Sequence, residues 1–272
     1  MARPPDDGVP FGDTGAFRPT RQRPVRVRSR NMPADAHFDP HRHPSAQLAY
    51  CASGIVQVRA AAPDRASGEV TYIVPPSRAV WIAPHAVHAI HVLEHAQLRT
   101  VYIDASVTPP GWSGCRMLVV SPLLRELVAA LDRPELPRER EKLLEGLVLD
   151  ELQGAATQDL GVPLPPAQTG DKRLRALCDA VLRAPAERAT LAQWAADVGA
   201  SERTMARLFR DELGTSYQRW RQQAVIAHAL PLLARGLPVS QVAAATGYAS
   251  DSAFTAMFKA AMGQAPSEFR KT

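Results

Sequence analysis

Two groups of side chains in this 272-residue chain have the type and spacing to do chemistry. His41 and His43 stand two apart, so on a strand both imidazoles point to one side, and Gln47 keeps that phase if the strand stays regular. Imidazoles gathered on one side either bind a transition metal or hydrogen-bond a small molecule, and residue type alone does not choose between the two. Arg203 and Arg207 stand four apart and share one face of a helix. A guanidinium pairs bidentately with O6 and N7 of guanine, a contact worth about 1–3 kcal/mol of base discrimination. No nucleophile elbow, phosphate loop or triad pattern accompanies either group.

The arginines lie in a unit that is written twice. Leu191 to Gly199 leads into Ser201 to Phe209, and Val239 to Gly247 leads into Ser250 to Phe258; the glycines recur after 48 residues and the phenylalanines after 49. In each copy a short helix ends at a glycine able to take positive φ, a serine caps the next helix, and apolar residues at helical spacing join the two. That is the plan of a helix-turn-helix, which offers one helix to a DNA groove.

The histidines lie in a stretch of a different period. From Val25 to about Val120, short runs such as Ile55-Val56-Gln57-Val58 and Val70-Thr71-Tyr72-Ile73-Val74 alternate with turn residues, which predicts a sandwich or small barrel. After Ser121 the period becomes helical. Leu123, Leu124, Leu127, Val128 and Leu131 mark one amphipathic helix, and Leu143, Leu144, Leu147, Val148 and Leu152 mark a second from about Arg138 to Gln153. This helical segment, 121–160, covers either its parent domain or a second copy of the chain, since periodicity fits both. Residues 1–24, rich in proline, glycine and arginine, read as a disordered basic arm, and 161–170, with Pro163, Pro165 and Pro166, as a stiff linker.

Length favours two domains. Residues 1–30 carry seven Lys and Arg against three Asp and Glu, residues 31–170 eleven against fifteen, and residues 171–272 fourteen against nine. A basic C-terminal domain beside an acidic middle suits a polyanion partner for the former. Cys51, Cys115 and Cys178 are odd in number and widely spaced, unlike a disulfide framework or zinc ribbon. With no apolar run of membrane-spanning length and no signal-peptide core at the start, a soluble cytoplasmic protein is expected.

Residues 171–272 resemble the AraC/XylS family of bacterial transcription regulators. The resemblance is carried by Leu208-Phe209-Arg210 before Leu213-Gly214, Trp220-Arg221-Gln222-Gln223, Ala229 to Gly236, Gly247 to Phe254 and Gly263 to Arg270. It implies that the second helix of each module enters the major groove of double-stranded promoter DNA, on one face of the duplex, about 34 Å apart. The DNA-facing positions are then Ser201, Glu202, Arg203, Thr204 and Arg207 in the first module and Ser250, Asp251, Ser252, Thr255 and Lys259 in the second. Ala256 stands where a reading side chain is expected, so the second helix relies on phosphates and groove shape. Pro231 departs from the pattern, because it falls inside the helix joining the modules. A homodimer and a contact with RNA polymerase are further implied partners.

His41-x-His43, three residues, Gln47, six residues and Gly54 resemble the first motif of the cupin barrels, with Gln47 at the usual carboxylate position. Trp81 to His88 resembles the second motif, with His88 as its histidine and with Ala83 and His85 replacing the usual proline and glycine. The resemblance implies a cupin-like barrel, residues 25–120, with His41, His43, Gln47 and His88 around its interior. Such a set suits zinc, nickel, iron or manganese, or else a metal-free pocket whose histidines bond an effector. His91 is out of phase with His88, and His37, His85 and His95 have no assigned role. A metal-dependent cupin enzyme fused to a DNA-binding domain and a DNA-binding protein without an effector are the alternatives. The first loses its carboxylate at Gln47, and the second leaves the barrel without a purpose. The expected function is a sequence-specific DNA-binding regulator that senses a small molecule or metal ion and, as the resemblance to family members with cupin-like N-terminal domains implies, controls a neighbouring transporter gene.

Overall fold

The computed structural model describes residues 17–61, 68–158, 160–166, 169–187 and 190–270. Most of the basic arm expected at 1–24 therefore lies outside the described residues. Backbone contacts divide the chain into two units, residues 1–64 with 72–159 and residues 65–71 with 160–272.

The first unit is built on β1 (Val25–Met32), β2 (His37–His41), β3 (Ala46–Ala61), the second half of β4 (Glu69–Val74, whose residues 69–71 belong to the second unit), β5 (Arg78–Ile82), β6 (His88–Ile103), β7 (Cys115–Val119) and β8 (Thr157–Gln158). The strands run in the order β1-β6-β3-β5-β7-β8, with β2 added to β6 and β4 to β3. β1 and β8 end this path, and among the described residues no pairing closes it. The sheet is therefore open where a closed barrel was expected. β3 and β6 are each 16 residues long and pair along their whole lengths, with register shifts between Cys51 and Val56. Gly54 makes the shift possible. It has φ +74°, and a Cβ there would lie 2.1 Å from the carbonyl oxygen of His95, so no larger residue fits.

One face of the sheet packs on two helices, α1 (Pro122–Leu131) and α2 (Arg138–Gly154). Ser121 caps α1 by accepting from Leu124 N–H at 2.9 Å, with Pro122 in the first turn. Leu124, Leu127, Val128, Val148 and Leu152 bury against Leu48, Tyr50, Trp81, Val101 and Ile103. At about 1.5–3 kcal/mol per buried large apolar side chain, this layer is a main source of the unit's stability. The helical stripe thus covers its parent domain only in part, because Leu123, Leu143 and Leu147 remain exposed. All of β5 is buried, including Arg78, whose Nε donates to Gln158 Oε1 at 2.5 Å and whose pKa burial lowers to about 10.

The second unit holds β9 (Val162–Leu164), α3 (Lys172–Arg183), α4 (Leu191–Asp197), α5 (Glu202–Leu213), α6 (Tyr217–Ala234), α7 (Val239–Ala245) and α8 (Asp251–Met262). β9 falls in the stretch expected to be a linker. It pairs with Glu69–Thr71 of β4, and Val162 and Leu164 bury in one core with Leu174, Leu177, Trp194, Phe209 and Trp220. The indole N–H of Trp220 donates to the Pro163 carbonyl at 2.7 Å, so this segment is a packed part of the unit. α6 continues through Pro231, and the Pro231 carbonyl accepts from Arg235 N–H at 3.1 Å. The three cysteines are buried and free, as their spacing suggests. Among the described residues no helix is long and apolar enough to cross a membrane.

Candidate functional site

His41 ends β2 and His88 begins β6, and the two are register partners. Gln47, near the start of β3, faces Tyr102 of β6. His43 lies beyond the end of β2 in the turn to β3, not on a continuous strand with His41 as the spacing suggests. It reaches the same place through the turn. Ring centroids are 4.3 Å apart for His41 and His88, 5.2 Å for His43 and His88 and 6.0 Å for His41 and His43. One ring nitrogen from each histidine lies within 4.8 Å of the other two. His43, Gln47 and His88 are buried and His41 is half-exposed.

All three Nδ1 atoms meet backbone carbonyls, of Asp39 at 2.7 Å for His41, of Ser45 at 2.7 Å for His43 and of Ala86 at 3.0 Å for His88. A proton on Nδ1 satisfies each contact and leaves the lone pair on Nε2, the form in which imidazole binds metals. The Nε2 of His88 is buried with no hydrogen-bond partner. The Nε2 of His43 lies 2.6 Å from Gln47 Oε1. Burial pushes the His88 pKa down to about 3, with His41 and His43 adding to the shift, and burial lowers that of His41 as well. Both rings are therefore neutral at neutral pH. The donor set, three imidazole nitrogens and one amide oxygen, fits a first-row divalent cation.

Two residues to which the sequence motifs assign no role shape this cluster. Tyr102 sets its ring edge-on to His43 at 5.8 Å between centroids; only the pairing of β3 with β6 puts it opposite Gln47. His85, with φ +63°, donates its backbone N–H to the His43 carbonyl at 2.9 Å, tying the β5–β6 loop to the β2–β3 turn. His91 stands apart, 3.8 Å from Asp35, and pairs in register with His37.

In the second unit, α4 opens with a capping box between Thr190 and Gln193 and is followed by Gly199 at φ +69°. Ser201 then caps α5, its Oγ accepting from Thr204 N–H at 3.2 Å. Met205, Leu208, Phe209 and Leu213 are buried, whereas Ser201, Glu202, Arg203 and Arg207 are exposed and Thr204 is half-buried. Arg207 is 3.7 Å from Asp211, an exposed pair of little energetic weight. The second module repeats the plan. α7 precedes Gly247 at φ +81°, Ser250 accepts from Ala253 N–H at 3.2 Å, and Phe254, Phe258 and Met262 are buried. Asp251, Ser252, Ala256 and Lys259 are exposed and Thr255 is half-buried. A Cβ on Gly247 would lie 2.4 Å from the Ala186 carbonyl oxygen, so that turn admits only glycine.

Residues 194–272 match the family of helix-turn-helix domains, and residues 23–157 match the AraC-like ligand binding domain. The HTH-type transcriptional regulator NimR of Escherichia coli K12 is 31% identical over 252 residues, covering 85% of this chain and 90% of NimR. The chain belongs to the AraC family of transcription regulators. It is a DNA-binding regulator with an N-terminal ligand-binding domain, and not an enzyme. The arabinose operon regulatory protein of Escherichia coli K12 is a more distant AraC-type relative, 32% identical over 47% of this chain and 42% of its own length. Among solved structures, ToxT from Vibrio cholerae aligns over 91% of this chain and 98% of its own at 13% identity, with a TM-score of 0.38.

Proposed function

We propose that the first unit, folded as a cupin-like sheet, senses a metal ion or a small molecule held on a metal through His41, His43, Gln47 and His88, and that this state controls promoter binding by α5 and α8. The observation that carries the sensing half is the buried Nε2 of His88, left without a partner beside two other imidazoles whose Nδ1 atoms are likewise committed to carbonyls. Zinc, nickel, iron or manganese bound there supplies a Lewis-acidic point that fixes a ligand's orientation. The carbonyls of Asp39, Ser45 and Ala86 hold the rings, and burial keeps His88 neutral and able to donate its lone pair.

On the reading side, Arg203 and Arg207 select bases, with Ser201, Glu202 and Thr204 around the entry of the same helix. Ser250, Asp251, Ser252, Thr255 and Lys259 bind mainly phosphate and groove shape. A second copy of the chain packs on the exposed Leu143 and Leu147. A reversed copy of α2 sets Leu143 over Leu147 and the exposed Arg140 over the exposed Asp150, a self-complementary pairing. RNA polymerase is the further partner of the bound regulator, and a neighbouring transporter gene is its target. Metal occupancy and DNA affinity then shift each other by one shared factor. The test is a titration of the full chain with its own promoter DNA, with added zinc, nickel, iron or manganese and with chelator. DNA affinity that differs between loaded and stripped protein supports the reading, and identical affinity with every metal refutes it. A metal-free effector pocket is the second reading, since the buried His88 Nε2 can equally accept a hydrogen bond from a small molecule.

A further inference from the structure

The charge of the histidine cluster points past the metal itself. Its donors are three imidazoles and one amide, all uncharged when they donate lone pairs, and among the described residues the cluster contains no carboxylate or thiol. His43, Gln47 and His88 are buried, so a divalent cation held by them keeps both charges in surroundings that solvate it poorly. An anion that itself coordinates the cation removes that imbalance.

Gln47 sharpens the point. A neutral imidazole donates a proton from only one nitrogen, yet both ring nitrogens of His43 face oxygen, Ser45 O at 2.7 Å and Gln47 Oε1 at 2.6 Å. One of these contacts therefore joins two acceptors. A cation shared by His43 Nε2 and Gln47 Oε1 removes the conflict without turning the amide or charging the ring. The amide also carries an N–H2 group that donates to an oxyanion, whereas a glutamate at position 47 would neutralise the cation and repel one. The half-exposed His41 leaves that side of the cluster open to solvent.

We propose that this cluster takes a divalent cation and a small oxyanion of the carboxylate class together, the anion binding to the cation beside Gln47. The inference rests on the metal reading given above and adds the chemical class of the effector. It is tested on the full chain loaded with Co(II), by following the visible absorption of the metal while sodium acetate is added. The expected result is a saturable spectral change, with Gln47→Glu retaining cobalt but responding at least tenfold more weakly. Cobalt uptake with a spectrum indifferent to acetate, or a Gln47→Glu protein that responds as strongly as the parent, overturns the inference and leaves the metal reading standing. Absence of cobalt uptake overturns both. The titration of the unmodified chain stands whether or not the variant folds.

Discussion

The two units present their polar groups in opposite ways. In the first, His43 and His88 are buried and each imidazole is fixed by a backbone carbonyl before any ligand arrives. In the second, Arg203 and Arg207 project from α5 into solvent, and among the described residues the ion pair they make is the loose one of Arg207 with Asp211. Rigid placement suits a small ligand whose donors must converge to within tenths of an ångström. Long mobile side chains suit a polymer that brings its own order and whose phosphates pre-align the protein.

The strongest challenge to this contrast removes the fixed rings. His43→Ala combined with His88→Ala should weaken metal binding on the order of 100-fold or more while promoter binding by stripped protein stays unchanged, as read by calorimetry and gel shift. A metal affinity close to that of the parent would break the comparison at its first term. Acid should act on the same unit. His88 is held neutral down to about pH 3 in the folded chain, whereas an unfolded histidine protonates near 6.5. Unfolded protein therefore takes up the extra proton, and the contribution of His88 is complete above about pH 6.5 and lost progressively toward 3. Thermal melts of metal-free protein between pH 7 and 4 should show the first unit losing stability; a melt independent of pH contradicts the buried neutral ring.

Smaller effects separate the two reading helices. Arg203→Ala or Arg207→Ala should cost about 1–3 kcal/mol at one base pair and relax preference there without affecting the fold, since both side chains are exposed. Binding-site selection with each variant measures this, and unchanged preference in both rejects the assignment. Ser201→Ala and Ser250→Ala should each destabilise the second unit by about 0.5–2 kcal/mol, because each hydroxyl caps a recognition helix in the same manner. Chemical denaturation checks whether the two caps are equal; a clear inequality means that the repeated modules differ in more than their outward side chains.

Local pattern made the second unit legible. Its helices, its caps at Ser201 and Ser250 and its positive-φ turns at Gly199 and Gly247 are set by residues within four positions of one another. The histidine cluster was legible in its members but not in its construction, because His43 arrives from a turn and Tyr102 from a strand 55 positions beyond Gln47. The open edge of the sheet, the burial of Arg78 against Gln158 and the strand within the proline-rich segment depend on pairings between distant residues. No periodicity along the chain announces these. Proline at 163 suggested a spacer, yet Val162 and Leu164 on either side of it supply two apolar side chains to a core.

That last arrangement decides where the reading half can be cut free. A fragment beginning at Asp171 would leave the Trp220 indole without its carbonyl acceptor and open a hole beneath α6 where two aliphatic residues had been. Loss of DNA binding by such a piece would then report a damaged fold and not a missing partner domain.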